Sequence, residues 1–311
     1  MRGVSLQDVW REIRSAHPFP LAVAVILATL TFPLRLIRWR WLLPDRNGGR
    51  YPAAPLWHAI ALGFTANNIL PLRAGELVRT YTASRLVPMR FSTVLSSIAI
   101  ERIFDGLTLV ALLSAALLYS DFPPGLTVGG ASVTRLTKIA GLVGCIGLFG
   151  SLLVLMAPTR AERLVRRLIG RADLADRVIH LIEGIRQGVL VLRSPARLAL
   201  VVFWSFVLWN LNALAFFVGF SAFDINVSYW GALLMQGLLV LGISIPSTPG
   251  FFGPFEAVIV AVLALYGVSH DRAFSYAIAY HLTSFLPITL LGLWSLSRTP
   301  VSLRRFANGK S

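Results

Sequence analysis

The chain has 311 residues, of which 56% are hydrophobic and 14% charged, and its formal net charge is +15. This composition excludes an ordinary soluble domain, in which about a quarter of the residues are charged. The positive charge does not indicate nucleic acid binding, because the arginines lie between apolar segments, where they set membrane topology and attract anionic headgroups. The sequence therefore predicts a polytopic membrane protein whose partners are membrane lipids.

Eight apolar segments approach the length of about 20 residues that a helix needs to cross a bilayer. In chain order they cover residues 21–37, 54–70, 91–119, 136–157, 198–220, 229–245, 254–267 and 273–296. They predict an all-α helical bundle of about eight spans. Residues 1–157 and 198–311 are expected to form two four-span halves of a single membrane domain.

Residues 158–197, between the predicted halves, are rich in arginine and repeat apolar side chains at helical spacing. This pattern predicts an amphipathic connection on the cytoplasmic side, and the basic C-terminal tail is placed on the same side by the positive-inside bias. The predominance of arginine over lysine favours a bacterial source and therefore a bacterial plasma membrane. The orientation of the N-terminus stays open, because a re-entrant second segment would reverse it.

Two short polar segments interrupt the apolar stretches, and both contain a proline, a glycine four residues later and then a glutamate. In the first break these residues are Pro71, Gly75 and Glu76, and in the second they are Pro246, Gly250 and Glu256. Membrane helices are broken in this way only where the freed backbone faces protein or water. The sequence thus predicts two broken helices, re-entrant ones included, beside a buried polar site.

The first break is surrounded by amide and cationic side chains, namely Asn67, Asn68, Arg73 and Arg79. Unpaired backbone amides at helix ends, together with arginines, suit a phosphate-bearing group. We expect these four side chains to bind a lipid headgroup. A topology-setting cluster at a cytoplasmic loop would explain the arginines but not the asparagines.

The second break offers hydroxyl groups and open backbone, at Ser247, Thr248, Pro249 and Gly253. Glycine permits backbone conformations and close approaches that other residues do not. We expect Ser247 and Thr248 to contact the same headgroup. The simpler alternative is a tight turn between two spans.

The third predicted span carries Glu101, Arg102 and Asp105, roughly 15 Å into a helix that begins near Phe91. A charge at this depth costs about 2.5–3.5 kcal/mol, so these groups must pair, become neutral or line water. Glu76 and Arg79 are candidates for the pairing. Arg102 lies about 100° around the helix from Glu101 and is expected to find its partner elsewhere. The cluster is either a binding site or an ion pair that fixes helix packing.

The sequence contains no nucleotide-binding loop and no pair of histidines at metal-ligand spacing. We therefore expect no catalytic residue, cofactor or metal. His281 lies within the last span, where a single histidine is more often a packed hydrogen-bonding residue than a titrating one.

The segments NNILPLRAGELVR, IERIFDG and IPSTPGFFGPFEA, in this order, resemble the flippase-like membrane domain of bacterial lysylphosphatidylglycerol synthases and of stand-alone bacterial and archaeal relatives. The resemblance implies a protein that moves or handles lipids, including aminoacylated phosphatidylglycerol and isoprenoid-linked lipids. Its signature positions are Pro71, Arg73, Gly75, Glu76, Arg79, Glu101, Arg102, Asp105, Pro246, Pro249, Gly250, Gly253 and Glu256. We expect a stand-alone member without the soluble aminoacyl transferase domain.

The leading hypothesis is a flippase-like lipid transporter that binds an anionic or phosphate-linked headgroup in an intramembrane cavity. In this hypothesis Arg73, Arg79 and Arg102 hold the phosphate. The carboxylates Glu76, Glu101, Asp105 and Glu256 pair with them or exchange protons. The alternatives are an intramembrane lipid-modifying transferase and a membrane subunit that assists a separate glycosyl- or aminoacyl-transferase. A homodimer is compatible with either.

Overall fold

The structure, a computed structural model, describes residues 6–43, 49–70, 74–123, 125–128, 131–156, 194–244 and 248–300. Its helices are α1 (Leu6–Ser15), α2 (Pro18–Leu42), α3 (Ala53–Ile69), α4 (Gly75–Leu86), α5 (Phe91–Tyr119), α6 (Val133–Met156), α7 (Pro195–Phe220), α8 (Tyr229–Ser244), α9 (Pro254–Leu265) and α10 (His270–Ser297). Short 3₁₀ turns follow α7 (Ser221–Phe223) and precede α9 (Pro249–Phe251). The predicted all-α membrane architecture is confirmed, and a two-residue antiparallel pairing, Thr127–Val128 with Ala131–Ser132, precedes α6.

Four of the described helices are long and apolar enough to cross a bilayer: α2, α5, α7 with its 3₁₀ turn, and α10. The protein is thus a multi-pass membrane protein. Most of the predicted amphipathic connection, from residue 158 to residue 193, lies outside the described residues, as does the basic tail from residue 301. The division into two four-span halves stays a prediction.

The two predicted breaks are present, and each separates two short helices. The first break joins α3, with 17 residues, to α4, with 12. The second joins α8, with 16 residues, to α9, with 12. At 1.5 Å per residue these helices are about 18 to 26 Å long, less than the roughly 30 Å of a hydrocarbon core. Because the helices pack in pairs, each break forms the tip of a helical hairpin.

Helix α4 was not expected from the sequence, because its segment GELVRTYTASRL is polar. It is nevertheless buried along one side, where Val78, Arg79, Thr80 and Thr82 pack against neighbouring helices. Tertiary packing rather than apolar composition therefore stabilises this helix.

The buried apolar residues form two large clusters. One draws mainly on α2, α3 and α5, and the other mainly on α7 to α10. Helix α2 packs along α7, and α5 packs against α4, α6 and α8. This arrangement brings the charged residues of α2, α4 and α5 together inside the bundle.

Candidate functional site: a buried ionic cluster beside a polar cavity

Helix α5 supplies the two buried carboxylates of the site. Glu101 and Asp105 lie one turn apart, so both project from the same side of the helix. They are 0% and 3% exposed. Carboxylates at this depth need cationic partners, and the surrounding helices supply them.

Glu101 contacts three arginines. The Arg79 guanidinium of α4 donates to both carboxylate oxygens, with Nη1 3.1 Å from Oε1 and Nη2 2.8 Å from Oε2. Nη2 of Arg38, on α2, lies 3.1 Å from Oε1, and Nη2 of Arg102 lies 3.0 Å from the same oxygen. The ion pair between Arg79 and Glu101 is one of the pairings that the sequence suggested.

Asp105 joins α5 to two further helices. Its Oδ1 accepts hydrogen bonds from Nη1 of Arg38 at 2.5 Å and from the indole Nε1 of Trp209, on α7, at 2.9 Å. Its Oδ2 lies 3.0 Å from Nη2 of Arg102. Arg38 also donates to Oγ of Ser205, again on α7, at 3.0 Å. Asp105 and Arg38 thus connect α2, α5 and α7.

The expectation that Arg102 pairs away from its own helix is wrong. Its Nη2 reaches both Glu101, the preceding residue, and Asp105, three positions on. A long arginine side chain can curve back along its helix, so the direction of its Cα–Cβ bond does not determine its partners. The Arg102 side chain stays 44% exposed.

Trp39 supports the cluster from α2. The Arg79 guanidinium lies 3.9 Å from the centroid of the Trp39 ring, within the range of a cation–π contact. The indole Nε1 of Trp39 donates to Oγ of Ser97 at 3.0 Å. Trp39 is fully buried, so it holds the guanidinium in place while excluding water.

Arg35 lies one turn before Arg38 on α2 and gives the site a surplus of positive charge. It is 8% exposed, and it forms no ion pair or hydrogen bond with any residue that the structure describes. Its guanidinium carbon lies 5.0 Å from the ring centroid of Phe64 and 5.7 Å from that of Trp209. Aromatic faces offset part of the cost of burial, but no described carboxylate serves as a counter-ion for this cation.

A cavity of about 180 Å³ opens beside this cluster. Arg35, Arg79 and Arg102 reach it, and Glu76 is the carboxylate among its lining residues. The remaining lining comes from both breaks and their neighbours: Gly63, Phe64, Asn67, Asn68, Gly75, Trp209, Val240, Ile243 and Phe251. The two hairpin tips therefore meet at one space, which we call the polar cavity.

The first break depends on a close approach of α3 and α4. A Cβ on Gly63 would lie 2.8 Å from Cβ of Arg79 and 2.9 Å from the Gly75 carbonyl oxygen. A Cβ on Gly75 would overlap the Gly63 carbonyl oxygen and the Asn67 amide. Oδ1 of Asn67 accepts a hydrogen bond from the Gly75 amide at 2.8 Å. These contacts bring α4 close enough for Arg79 to reach Glu101.

Asn68 ties the first break to α10, because its Nδ2 donates to Oγ1 of Thr289 at 2.9 Å. Both asparagines that the sequence assigned to headgroup binding therefore hold backbone or helix partners while also lining the polar cavity. Their headgroup role stays a prediction. Pro71 and Arg73 lie outside the described residues.

The second break has a different chemistry. Gly250, Phe251 and Gly253 have positive φ angles of 66°, 63° and 97°. Oε2 of Glu256 accepts a hydrogen bond from the Gly253 amide at 2.7 Å and so caps α9. Its Oε1 lies 2.6 Å from Nδ1 of His281, on α10. Glu256 is thus not part of the arginine cluster.

The other residues of the second break fall into three places. Thr248 is exposed, and its hydroxyl donates to the Phe252 carbonyl oxygen, which closes the turn. Pro249 begins the 3₁₀ turn. Pro246 and Ser247 lie outside the described residues. Headgroup contacts by Ser247 and Thr248 stay predictions.

Sequence reasoning missed Arg35, Arg38 and Trp209. The first predicted span ends at residue 37, between the two arginines, whereas α2 continues to Leu42 and carries both inside the bundle. Their spacing of three residues, which places them on one helical face, was the available signal. Trp209 lies in an apolar run that gives no sign of its hydrogen bond.

Comparisons with known proteins match the chain to one family and to archaeal membrane proteins. The family model for the lysylphosphatidylglycerol synthase transmembrane region matches residues 1–292. Glycosyltransferase AglD of Haloferax volcanii is 26% identical, over 95% of this chain and 51% of AglD, so the chain spans about half of that protein. A UPF0104 membrane protein of Methanothermobacter thermautotrophicus is 24% identical, over 92% of this chain and 85% of the relative.

A UPF0104 membrane protein of Methanocaldococcus jannaschii is 24% identical, over 73% of this chain and 90% of the relative. No solved structure matches the chain. Since these relatives are archaeal, the bacterial plasma membrane stays a prediction. The cytoplasmic C-terminus also stays a prediction.

Proposed function

We propose that this chain, which belongs to the lysylphosphatidylglycerol synthase transmembrane family, is a lipid transporter that binds the phosphate of an anionic headgroup in the polar cavity. The acyl chains of the lipid stay at the depth of the hydrocarbon core. The observation that carries the proposal is Arg35, a buried cation at the wall of that cavity that has no counter-ion among the residues that the structure describes.

An anion in the cavity would balance the charge of the site. Among the described residues, four arginines (Arg35, Arg38, Arg79 and Arg102) lie with the carboxylates of Glu101 and Asp105, which leaves two positive charges, and Glu76 offsets one of them. A buried ion without a partner costs several kcal/mol. A headgroup phosphate offers oxygens that a guanidinium can bind through two parallel hydrogen bonds. The cavity therefore suits a monoanionic phosphodiester.

The arginines divide the work differently from the sequence-based hypothesis. Arg38 and Arg79 are paired with Glu101 and Asp105. We therefore assign them to holding the helices together and to keeping the electrostatic potential of the site positive. Arg35 and Arg102 line the polar cavity and have the freedom to meet a ligand, because Arg35 has no carboxylate contact and the Arg102 side chain is half exposed. Arg73 stays a further candidate.

The position of the cavity favours a transport role. Membrane transporters commonly bind substrate where discontinuous helices meet, because their broken ends leave polar backbone that faces the substrate. Here both hairpin tips line one cavity, and α4 directs its N-terminal turn, with Gly75 and Glu76, toward it. The positive end of a helix dipole adds to the attraction for an anion.

Redistribution of labelled phosphatidylglycerol between the leaflets of proteoliposomes tests this function. Wild-type protein should accelerate it over empty liposomes, and Arg35→Gln should lower the protein-dependent rate by about tenfold or more, because a hydrogen bond to a charged group contributes about 1.5–3 kcal/mol. Arg85→Gln is the matched control, since Arg85 is exposed at the end of α4 and outside the cavity. Equal rates with wild type and with empty liposomes would contradict the proposal.

A second candidate function is the delivery of a lipid-linked substrate to a transferase. It is favoured by the likeness to half of a protein named as a glycosyltransferase. A catalytic role for Glu101 within the membrane is less favoured, because three guanidinium groups already occupy its oxygens. Mass spectrometry of the lipids after turnover by the purified protein tests the catalytic role, since a transferase changes the mass of a lipid whereas transport or delivery changes only its location.

A further inference from the structure

A second, larger cavity lies between α9 and α10, and its lining is almost entirely apolar. It has a volume of about 590 Å³, within the range of roughly 300–1,000 Å³ that is usual for ligand sites. Phe274, Ile278 and Leu282 form one wall, at every fourth position of α10. Ala257 and Ala261, also four residues apart, leave space on the opposite wall, on α9. We call this space the apolar groove.

The apolar groove adjoins the polar cavity across the second break. Phe251 lines the polar cavity, whereas the next two residues, Phe252 and Gly253, line the groove. Consecutive Cα atoms are about 3.8 Å apart, so one short stretch of chain separates the two spaces. The positive φ angle of Phe251 lies in this stretch and allows neighbouring side chains to point into different cavities.

The groove has the length of one leaflet. Its α10 wall runs from His270, whose side chain is 59% exposed, to Leu282. Twelve residues of helix extend about 18 Å, and half of a hydrocarbon core is about 15 Å thick. A groove that begins beside a buried polar site and reaches an exposed helix end has room for a hydrocarbon tail that extends from that site through one leaflet.

The one carboxylate in the lining does not oppose an apolar occupant. Glu256 is hydrogen-bonded to His281 and to the Gly253 amide, so its polar atoms are satisfied within the protein. His281 is itself covered by the rings of Phe255 and Phe252, with centroids 4.0 Å and 4.5 Å away. Satisfied polar groups leave the groove suited to hydrocarbon.

We propose that the apolar groove holds one hydrocarbon tail of the lipid whose headgroup phosphate occupies the polar cavity, with the second break between them. This inference rests on the proposed function. It predicts that substrates are chosen partly by tail, with long-chain lipids favoured over short-chain lipids that share the same headgroup.

Photo-crosslinking tests the tail site. Phosphatidylglycerol with a diazirine in the middle of one long tail is reconstituted with the protein, and the adducts are mapped by peptide mass spectrometry. The adducts should concentrate on α9 and α10 at the groove. Ala261→Trp, which fills the groove, should lower them by about tenfold, whereas Ala264→Trp should not, because Ala264 is exposed on the same helix but outside the lining.

Short-chain lipid separates this inference from the headgroup site. Water-soluble dihexanoyl-phosphatidylglycerol should bind Ala261→Trp as it binds wild type, and it should lose affinity for Arg35→Gln. Adducts spread evenly over all lipid-facing helices, or equal labelling of Ala261→Trp and Ala264→Trp, would overturn the tail site. Wild-type affinity of Arg35→Gln for the short-chain lipid would instead overturn the headgroup site. Ala257→Leu, a smaller filling of the same wall, guards against a folding defect in Ala261→Trp.

Discussion

The two breaks share a sequence pattern, and each joins two short helices, but they differ in chemistry. Each ends one short helix and begins another of 12 residues, and each places a glutamate in the first turn of that second helix. At the first break the new helix carries Arg79 into a network of arginines and carboxylates. At the second, Glu256 caps its own helix and meets a histidine. Similar breaks can therefore have two roles at one cavity. The first break supplies the charged wall of the polar cavity, and the second separates that cavity from the apolar groove.

The largest expected difference between the two regions concerns their carboxylates. Glu101→Gln leaves three guanidinium groups facing a neutral amide and should lower the free energy of unfolding by about 3–5 kcal/mol. Glu256→Gln keeps a hydrogen-bonding side chain at the helix cap and should cost only about 1 kcal/mol. Thermal unfolding in detergent measures both. An equal or larger loss for Glu256→Gln would contradict the assignment of the charged network to the first region.

Substitution of a glycine should destabilise the protein at both breaks, but for different physical reasons. Gly75→Ala forces a methyl group into the Gly63 carbonyl oxygen and should cost about 3 kcal/mol, because fixed backbone must separate. Gly253→Ala meets nothing within 4 Å, so only its φ of 97° opposes the change, at about 1–2 kcal/mol. The comparison is measured by unfolding, with Gly49→Ala as the control. A milder effect at Gly75 than at Gly253 would show that the helices of the first hairpin can move apart.

A double-mutant cycle tests whether the regions are energetically separate. Glu256→Ala and His281→Ala should be coupled by about 1 kcal/mol, because the two side chains share a hydrogen bond. Glu256→Ala and Glu101→Gln share no contact partner among the described residues, so their effects on unfolding should add within about 0.5 kcal/mol. Strong coupling of the two glutamates would mean that the breaks act as one unit.

The smallest expected effect concerns the tie between the first break and α10. Asn68→Ala removes the hydrogen bond to Thr289 and should cost about 1 kcal/mol. Thr289→Val should cost a similar amount, and the double variant should cost little more than either single one. Additive losses would indicate that Asn68 has another role, such as the headgroup contact that the sequence suggested.

Apolar run length predicted the central helices well. The run from Phe91 to Tyr119 has the bounds of α5 itself, and α8 ends one residue before the predicted span. The first predicted span, residues 21–37, is too short at its C-terminal end, because Arg38 ends its apolar run although α2 continues to Leu42. An arginine in the sequence indicates the end of a membrane span unless its partners on other helices are known.

The polar site was only partly accessible from the sequence. The depth of Glu101 and Asp105 showed that they needed cations, and nearness in sequence suggested Arg79. The pairing of Asp105 with Arg38 and Trp209 could not be inferred, because these residues are 67 and 104 positions away from Asp105 along the chain. The similar breaks also suggested one set of carboxylates, whereas Glu256 faces a separate groove. Local sequence patterns predict helix breaks and buried charges, and only the packing of the helices shows which of them share a site.

Binding of dihexanoyl-phosphatidylglycerol to purified protein, by titration calorimetry, tests the central claim most directly. The account predicts that wild type and Arg85→Gln bind it alike, and that both bind it more tightly than they bind dihexanoyl-phosphatidylcholine. The affinity of Arg35→Gln for this lipid should be lower by about tenfold or more, because the unpaired cation of the polar cavity is gone. Unchanged affinity in a folded Arg35→Gln protein would contradict the claim that this cavity binds an anionic headgroup.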